Sequence, residues 1–145
     1  MAKNYDATDL LWTSRGDYYI ANGDIMDTEE DPLRSVSQEI KTRASGDQGA
    51  WKVFPNIGSS ISDFVGDVNN KATAESMKAR ITSALTKYGY IHARDLKIRY
   101  APISPEKLLI RISLKVAPTA KNRYSQELRL TGLYNYKEDQ VAFLI

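Results

Sequence analysis

The sequence predicts an α+β fold: helices packed on an antiparallel sheet, a β-hairpin near the start and a second hairpin at the C-terminal end. Three observations carry this. Asn22-Gly23 stands between two short apolar runs, the dipeptide that supplies both positive-φ residues of a tight hairpin turn. Two stretches with apolar residues at helical spacing follow it. After Gly89 the apolar period changes from 3.6 to 2.

The elements read in order as follows. "GDYYIANGDIMDT" is the hairpin, Gly16 to Thr28. "DPLRSVSQEIKTRASG" is a helix over about 32–45, with Asp31 as N-cap and Pro32 at its first position. Leu33, Val36, Ile40 and Ala44 form its apolar stripe, and Gly46 ends it. Arg34, Glu39, Lys41 and Arg43 fall mostly outside that stripe, so the helix is expected to be bound on one side only. A loop carrying Trp51 leads into Phe54-Pro55-Asn56-Ile57-Gly58, and Ser60 to Asp63 opens a short helix over about 60–65. "TAESMKARITSALTKYG" is the strongest helical signal, over about 73–88, with Thr73 as the cap. Met77, Ile81, Ala84, Leu85 and Tyr88 line one face, and Gly89 stands where a left-handed C-terminal cap belongs.

Two half-buried strands are predicted at about 96–102 and 107–117, joined through "PISPEK". "APTAKNR" reads as a flexible connector. "SQELRLTGLY" and "QVAFLI" then turn over at "KEDQ" as a last pair. The expected division is a core over 1–116 and a C-terminal hairpin extension over 117–145.

Composition excludes several function classes. At 145 residues the chain fits one domain that can bury a core. Apolar and charged fractions of 42% and 26% are those of an ordinary folded protein. Twenty basic against eighteen acidic residues is too even a balance to indicate nucleic acid. Without cysteine there are no disulfides or thiolate metal sites, and one histidine makes a His-based zinc site a poor bet. No apolar run approaches the length of a membrane span, and "MAKNYDATDL" lacks the apolar core of a secretory signal. No cofactor is expected.

Nor do the residues assemble a reaction. His92 has no second His or Cys beside it and reads as structural or surface. Glu29, Glu30 and Asp31 precede a helix, where negative charge meets the positive end of the dipole, and Asp63 and Asp67 flank a short helix in the same way. No serine sits in a nucleophile elbow, and no glycine-rich loop has phosphate-binding spacing. Lys97, Arg99, Arg111 and Lys115 form either a basic binding face or the solvated side of an amphipathic hairpin. The second is favoured, because Tyr88 and Tyr100 fall on the apolar register instead of beside them. Trp12 and Trp51, both near loops, are interface anchors or core residues.

Several segments together resemble a known family. "DLLWTSRGDYYIANGDIMDT", "PLRSVSQEIKTR", "VFPNIGSSISDFVGD" and the stretch Lys71 to Val116 are similar to the baseplate wedge and sheath-initiator family of contractile phage tails, which includes the matching subunit of type VI secretion systems. The resemblance spans Asp9 to about Val116. Its most specific piece is Phe54-Pro55-x-x-Gly58 to Ser62-Asp63, followed at the right distance by the long helix. It implies a non-enzymatic virion part, assembled in the host cytoplasm and present in six copies around the tail axis. The implied partners are the tail sheath protein and baseplate wedge proteins, with tube or hub proteins as further neighbours, and neither nucleic acid nor membrane.

Many members carry Glu-Pro-Arg just after the long helix; this chain reads Tyr88 to Arg94 there without that triplet. The wedge side is expected to involve Trp51, Phe54, Pro55 and Arg94, together with the helical side from Leu33 to Arg43. Some members are described as lysozyme-like, but the sequence offers no carboxylate pair for that activity. The alternatives of a peptidoglycan hydrolase and a single-stranded nucleic-acid module would show themselves by cell-wall clearing and by steep salt dependence of binding.

The resemblance also gives meaning to the apolar ending "QVAFLI". Members present β-structure to which arms of the first sheath ring add strands. An exposed edge strand recruits partners and is normally suppressed. Leu128, Leu130, Val141, Phe143 and Ile145 are therefore expected to face the sheath, on a hairpin held away from the core by the Ala117 to Arg123 connector; the alternative is that this tail folds back as the last strand of the chain's own sheet.

Overall fold

Asn22 and Gly23 take φ values of 53° and 78°, the pair of left-handed conformations a two-residue hairpin turn requires. They join β1 (Ile20–Ala21) to β2 (Asp24–Ile25), whose register pairs Ile20 with Ile25 and Ala21 with Asp24. A computed structural model describes residues 8–13, 17–29, 31–118, 126–138 and 140–144. Bridges from Leu10 to Asp27 and from Trp12 to Tyr18 extend the hairpin into a small N-terminal unit.

Helix α1 (Pro32–Ser45) begins with proline at its first position, as the sequence predicts. The expected Asp31 cap makes no side-chain bond to the helix, and its carboxylate lies 3.7 Å from Arg34 instead. Nor is the helix bound on one side only. Ser35, Ser37 and Arg43 are buried along with Val36, Ile40 and Ala44. The N-terminal unit accounts for part of this: the Gln38 amide accepts from Trp12 N–H at 2.8 Å and donates to the Leu10 carbonyl at 3.1 Å.

A 3₁₀ turn covers Ile61–Phe64, and helix α2 follows at Lys71–Thr86. The α2 cap is Asn70 and not Thr73: the Asn70 carboxamide oxygen accepts from Thr73 N–H at 2.8 Å. At the other end, Tyr88 and Gly89 both have positive φ, 58° and 68°. Two carbonyls at that end are met by Arg43 of α1. Its guanidinium donates to the Ala84 and Lys87 carbonyls at 3.4 and 3.2 Å, is held by Glu39 at 2.6 Å, and lies over the Tyr90 ring. A cation buried there completes a helix end.

Strands β3 (Leu96–Ser104), β4 (Lys107–Val116), β5 (Gln126–Asn135) and β6 (Gln140–Leu144) form one antiparallel sheet in that order. The even-numbered residues of the strands turn inward: Ile98, Leu108, Ile110, Ile112, Leu114, Val116, Leu130 and Tyr134 are all buried. They pack against Val36, Ile40, Ile61, Met77, Ile81 and Leu85 in one continuous core. The result is an α+β domain of helices on one face of an antiparallel sheet.

This arrangement corrects the expected C-terminal extension. Strand β5 pairs with β4 along all ten of its residues, Lys107 opposite Asn135 through Val116 opposite Gln126. Leu130 is fully buried and Leu128 packs against the core, so neither is offered to a partner. The division expected at residue 116 runs through a single sheet. Enough apolar surface sits on β5 that leaving it undocked would forfeit several buried side chains, each worth about 1.5–3 kcal/mol. Most of the expected connector, from Thr119 to Arg123, lies outside the described residues.

Candidate assembly interface

The Phe54-Pro55-x-x-Gly58 stretch is locked onto the end of α1 by backbone contact. Gly58 has φ +129°, and a Cβ there would stand 2.7 Å from the Gly46 carbonyl oxygen and 2.8–2.9 Å from Asp47 and Gln48 backbone atoms. Around it, Ser59 N–H donates to the Gly46 carbonyl and Ser59 Oγ to the Ala44 carbonyl. Ser60 Oγ accepts from Gln48 N–H at 2.9 Å, and Ser62 Oγ donates to Asp47 at 2.6 Å. This stitching leaves the loop's apolar residues outside: Trp51, Val53 and Phe54 are each about half or more exposed, and Pro55 is exposed beside them. Three of the four residues expected on the wedge side thus share one firmly anchored loop. The fourth, Arg94, is exposed on a separate 3₁₀ turn (Ala93–Asp95) leading into β3, with Asp95 at 3.9 Å. The helical side expected to join them contributes less, because α1 is largely covered.

Leu10, Trp12, Tyr18, Tyr19, Ile20, Ile25 and Met26 of the N-terminal unit are also exposed, with the Trp12 and Tyr18 ring centroids 4.5 Å apart and the rings tilted by 31°. So much uncovered apolar surface on one small unit is the usual mark of an interaction site. His92 is exposed, and Asp63 pairs with Arg80 at 2.7 Å. Tyr100 donates to Glu75 at 2.6 Å, which raises the phenol's pKa. It is not the free stacking platform a single strand would need.

The two edges of the sheet differ in kind. Tyr136 N–H donates to the Glu106 carbonyl at 2.8 Å, and with the register this sets the alternation across the sheet. Pro102 of β3 falls at a position whose N–H would face away from the sheet, so the edge there has no donor. The register also shifts between Pro102 and Ser104, where Asn69 clamps the turn by donating to the Ser104 and Lys107 carbonyls at 2.7 and 3.1 Å. With Lys97 and Arg99 in the same strand, β3 carries the devices that suppress edge pairing.

Strand β6 has none of them. Gln140, Ala142 and Leu144 stand opposite Asn135, Leu133 and Thr131 and direct their backbone groups to β5. Those of Val141 and Phe143 therefore point outward, from a segment with no proline and no charge. The turn before it is pinned by the Lys137–Glu106 ion pair, which raises the lysine's pKa. Of the residues expected to face the sheath, Val141 and Phe143 are thus on the outer edge by their backbone, and no described strand pairs with that edge. Their side chains, and Ile145 altogether, lie outside the described residues.

Sequence reading missed Asn69, Arg43 and Gly58 as the groups that shape these surfaces. Only Gly58 had a signal, its place at the end of a Pro-x-x-Gly turn. Among the described residues, no helix is long and apolar enough to cross a membrane, and no cluster of three or more His, Cys, Asp or Glu side chains is placed to hold a metal ion. Comparison of the chain with protein-family models and with curated proteins finds no match.

Proposed function

We propose that this chain is a non-enzymatic structural component of a contractile-tail baseplate. It joins wedge proteins to the first sheath ring and nucleates sheath assembly by accepting a sheath strand on the outer edge of β6. The resemblance of Asp9 to Val116 to the sheath-initiator family supplies the identity of the partners. The observation that carries the mechanism is the asymmetry of the sheet: β3 is blunted by Pro102, a register shift and cations, while β6 keeps outward N–H and C=O groups on an uncharged strand.

An added strand would gain main-chain hydrogen bonds from Val141 and Phe143, with side-chain alternation setting its register. The anchored loop bearing Trp51, Phe54 and Pro55 is the surface assigned to wedge proteins, since exposed aromatic residues on a rigid support make effective anchors.

The test is to remove outward donors singly. Val141→Pro and Phe143→Pro delete an N–H on the open edge and leave the bonds to β5 in place. Each variant is expected to fold with unchanged circular dichroism and to fail to start sheath polymerisation on assembled baseplates. Sheath of normal yield on both would reject the mechanism.

A further inference from the structure

The face of the sheet turned away from the helices is built from the odd-numbered residues, and it is basic. Arg99 stands directly opposite Arg111, and Lys97, Lys107 and Lys115 share the face. Like charges opposite one another in a sheet are destabilising and need a reason to persist. Arg129 is the cation already answered, by Glu127 at 2.6 Å. Among the described residues, Lys97, Arg99, Lys107, Arg111 and Lys115 form no ion pair. Beside the arginine row runs an apolar one, Ala101 opposite Leu109 and Leu109 opposite Leu133.

The matching surface is at the other end of the molecule. Residues 1–31 hold eight acidic and two basic side chains, whereas residues 96–135 hold eight basic and two acidic. Asp17, Asp24 and Asp27 of the N-terminal unit are exposed and likewise form no ion pair among the described residues. Among the described residues, the Asp24 and Asp27 carboxylates accept from backbone N–H groups, those of Ile25 and Glu29. Tyr19, Ile20 and Ile25 lie exposed among them. This unit rides on α1 through Gln38, on the helix side of the sheet. The helices stand between the two surfaces, so one chain cannot bring its own together.

We infer that the acidic, apolar N-terminal hairpin of one copy docks on the basic sheet face of a second copy. Carboxylates of Asp24 and Asp27 meet the Arg99–Arg111 row, and Ile20 and Ile25 lie on the Leu109–Leu133 row. The contact is head-to-tail, so it propagates into chains, or into a ring where the rotation closes. It uses neither the β6 edge nor the Trp51 loop, and stands independently of the sheath reading.

Sedimentation velocity of the full chain over a concentration series tests it. Association is expected at about 0.05 M salt and its loss by about 0.5 M, where the Debye length falls well below ~10 Å. Arg99→Glu/Arg111→Glu and Asp24→Lys/Asp27→Lys should each be monomeric at low salt, with unchanged thermal melts. A one-to-one mixture of the two should associate again, because the acidic hairpin of the first meets the basic sheet of the second. The inference is overturned by wild-type protein that stays monomeric throughout, including one that instead binds a single-stranded oligonucleotide, by variants that associate like wild type, or by a mixture that stays monomeric.

Discussion

The hydroxyl of Tyr134 on β5 donates to the backbone carbonyl of Ile61 at 2.8 Å, joining buried residues 73 positions apart. The bond ties the C-terminal hairpin to the 3₁₀ turn beneath α2, and the Tyr136 ring meets Tyr134 edge-on at 5.1 Å. Tyr134→Phe leaves a buried carbonyl without this donor. A loss of about 1–3 kcal/mol is expected in urea titration. A hairpin free of the core would show no change.

Asn70 and Thr73 are distinguishable as caps. Asn70→Ala removes the acceptor for Thr73 N–H and should cost about 0.5–2 kcal/mol. Thr73→Ala keeps both the backbone donor and the Asn70 acceptor, so its effect should be clearly smaller in the same titration.

Gly58→Ala places a methyl group within 2.7–2.9 Å of three backbone atoms at a φ that other residues avoid. Destabilisation by more than about 1 kcal/mol is expected. Because the strain falls on the loop that presents Trp51, a shift in tryptophan emission should accompany it.

Tyr136 is buried, and its hydroxyl has no hydrogen-bond partner among the described residues. Burial first, and then the Asp67 carboxylate, raise its pKa above the ordinary phenol value. The folded state therefore holds this proton more tightly than the unfolded chain does. The resulting stability is full below the unfolded pKa of about 10 and is lost as pH rises through the folded value. Asp67→Asn should move the tyrosine's ultraviolet titration to lower pH, measured as a difference against Tyr136→Phe in the same background.

Much of the architecture was legible because it rests on local periodicity. Asn22-Gly23 marks the hairpin, Pro32 the start of α1, and the even-odd alternation of Ile98 to Val116 the inner face of two strands. The same alternation in Leu128 and Leu130 says that one side of β5 is covered, but not by what. Pairing with β4 is a long-range outcome that no window of sequence contains. Thr73 looked like a cap because threonine is a good one, yet Asn70, three residues earlier, holds the geometry. Arg43 read as a solvated charge, and only the approach of α1 to the end of α2 makes it a buried cap. For the interface, exposed aromatic residues on a Pro-x-x-Gly loop could be foreseen. The contrast between the two sheet edges could not, since it depends on which way Pro102, Val141 and Phe143 face.

The central claim is that β6 offers backbone groups to another chain. Hydrogen exchange at the Val141 and Phe143 amides, read by NMR on the free protein and by mass spectrometry of the C-terminal peptide in sheath-bound particles, tests it most directly. In the free protein both amides should exchange at least ten times faster than those of Ala142 and Leu144, and they should become protected once sheath is present. Outward amides that exchange as fast with sheath bound as without would contradict the account.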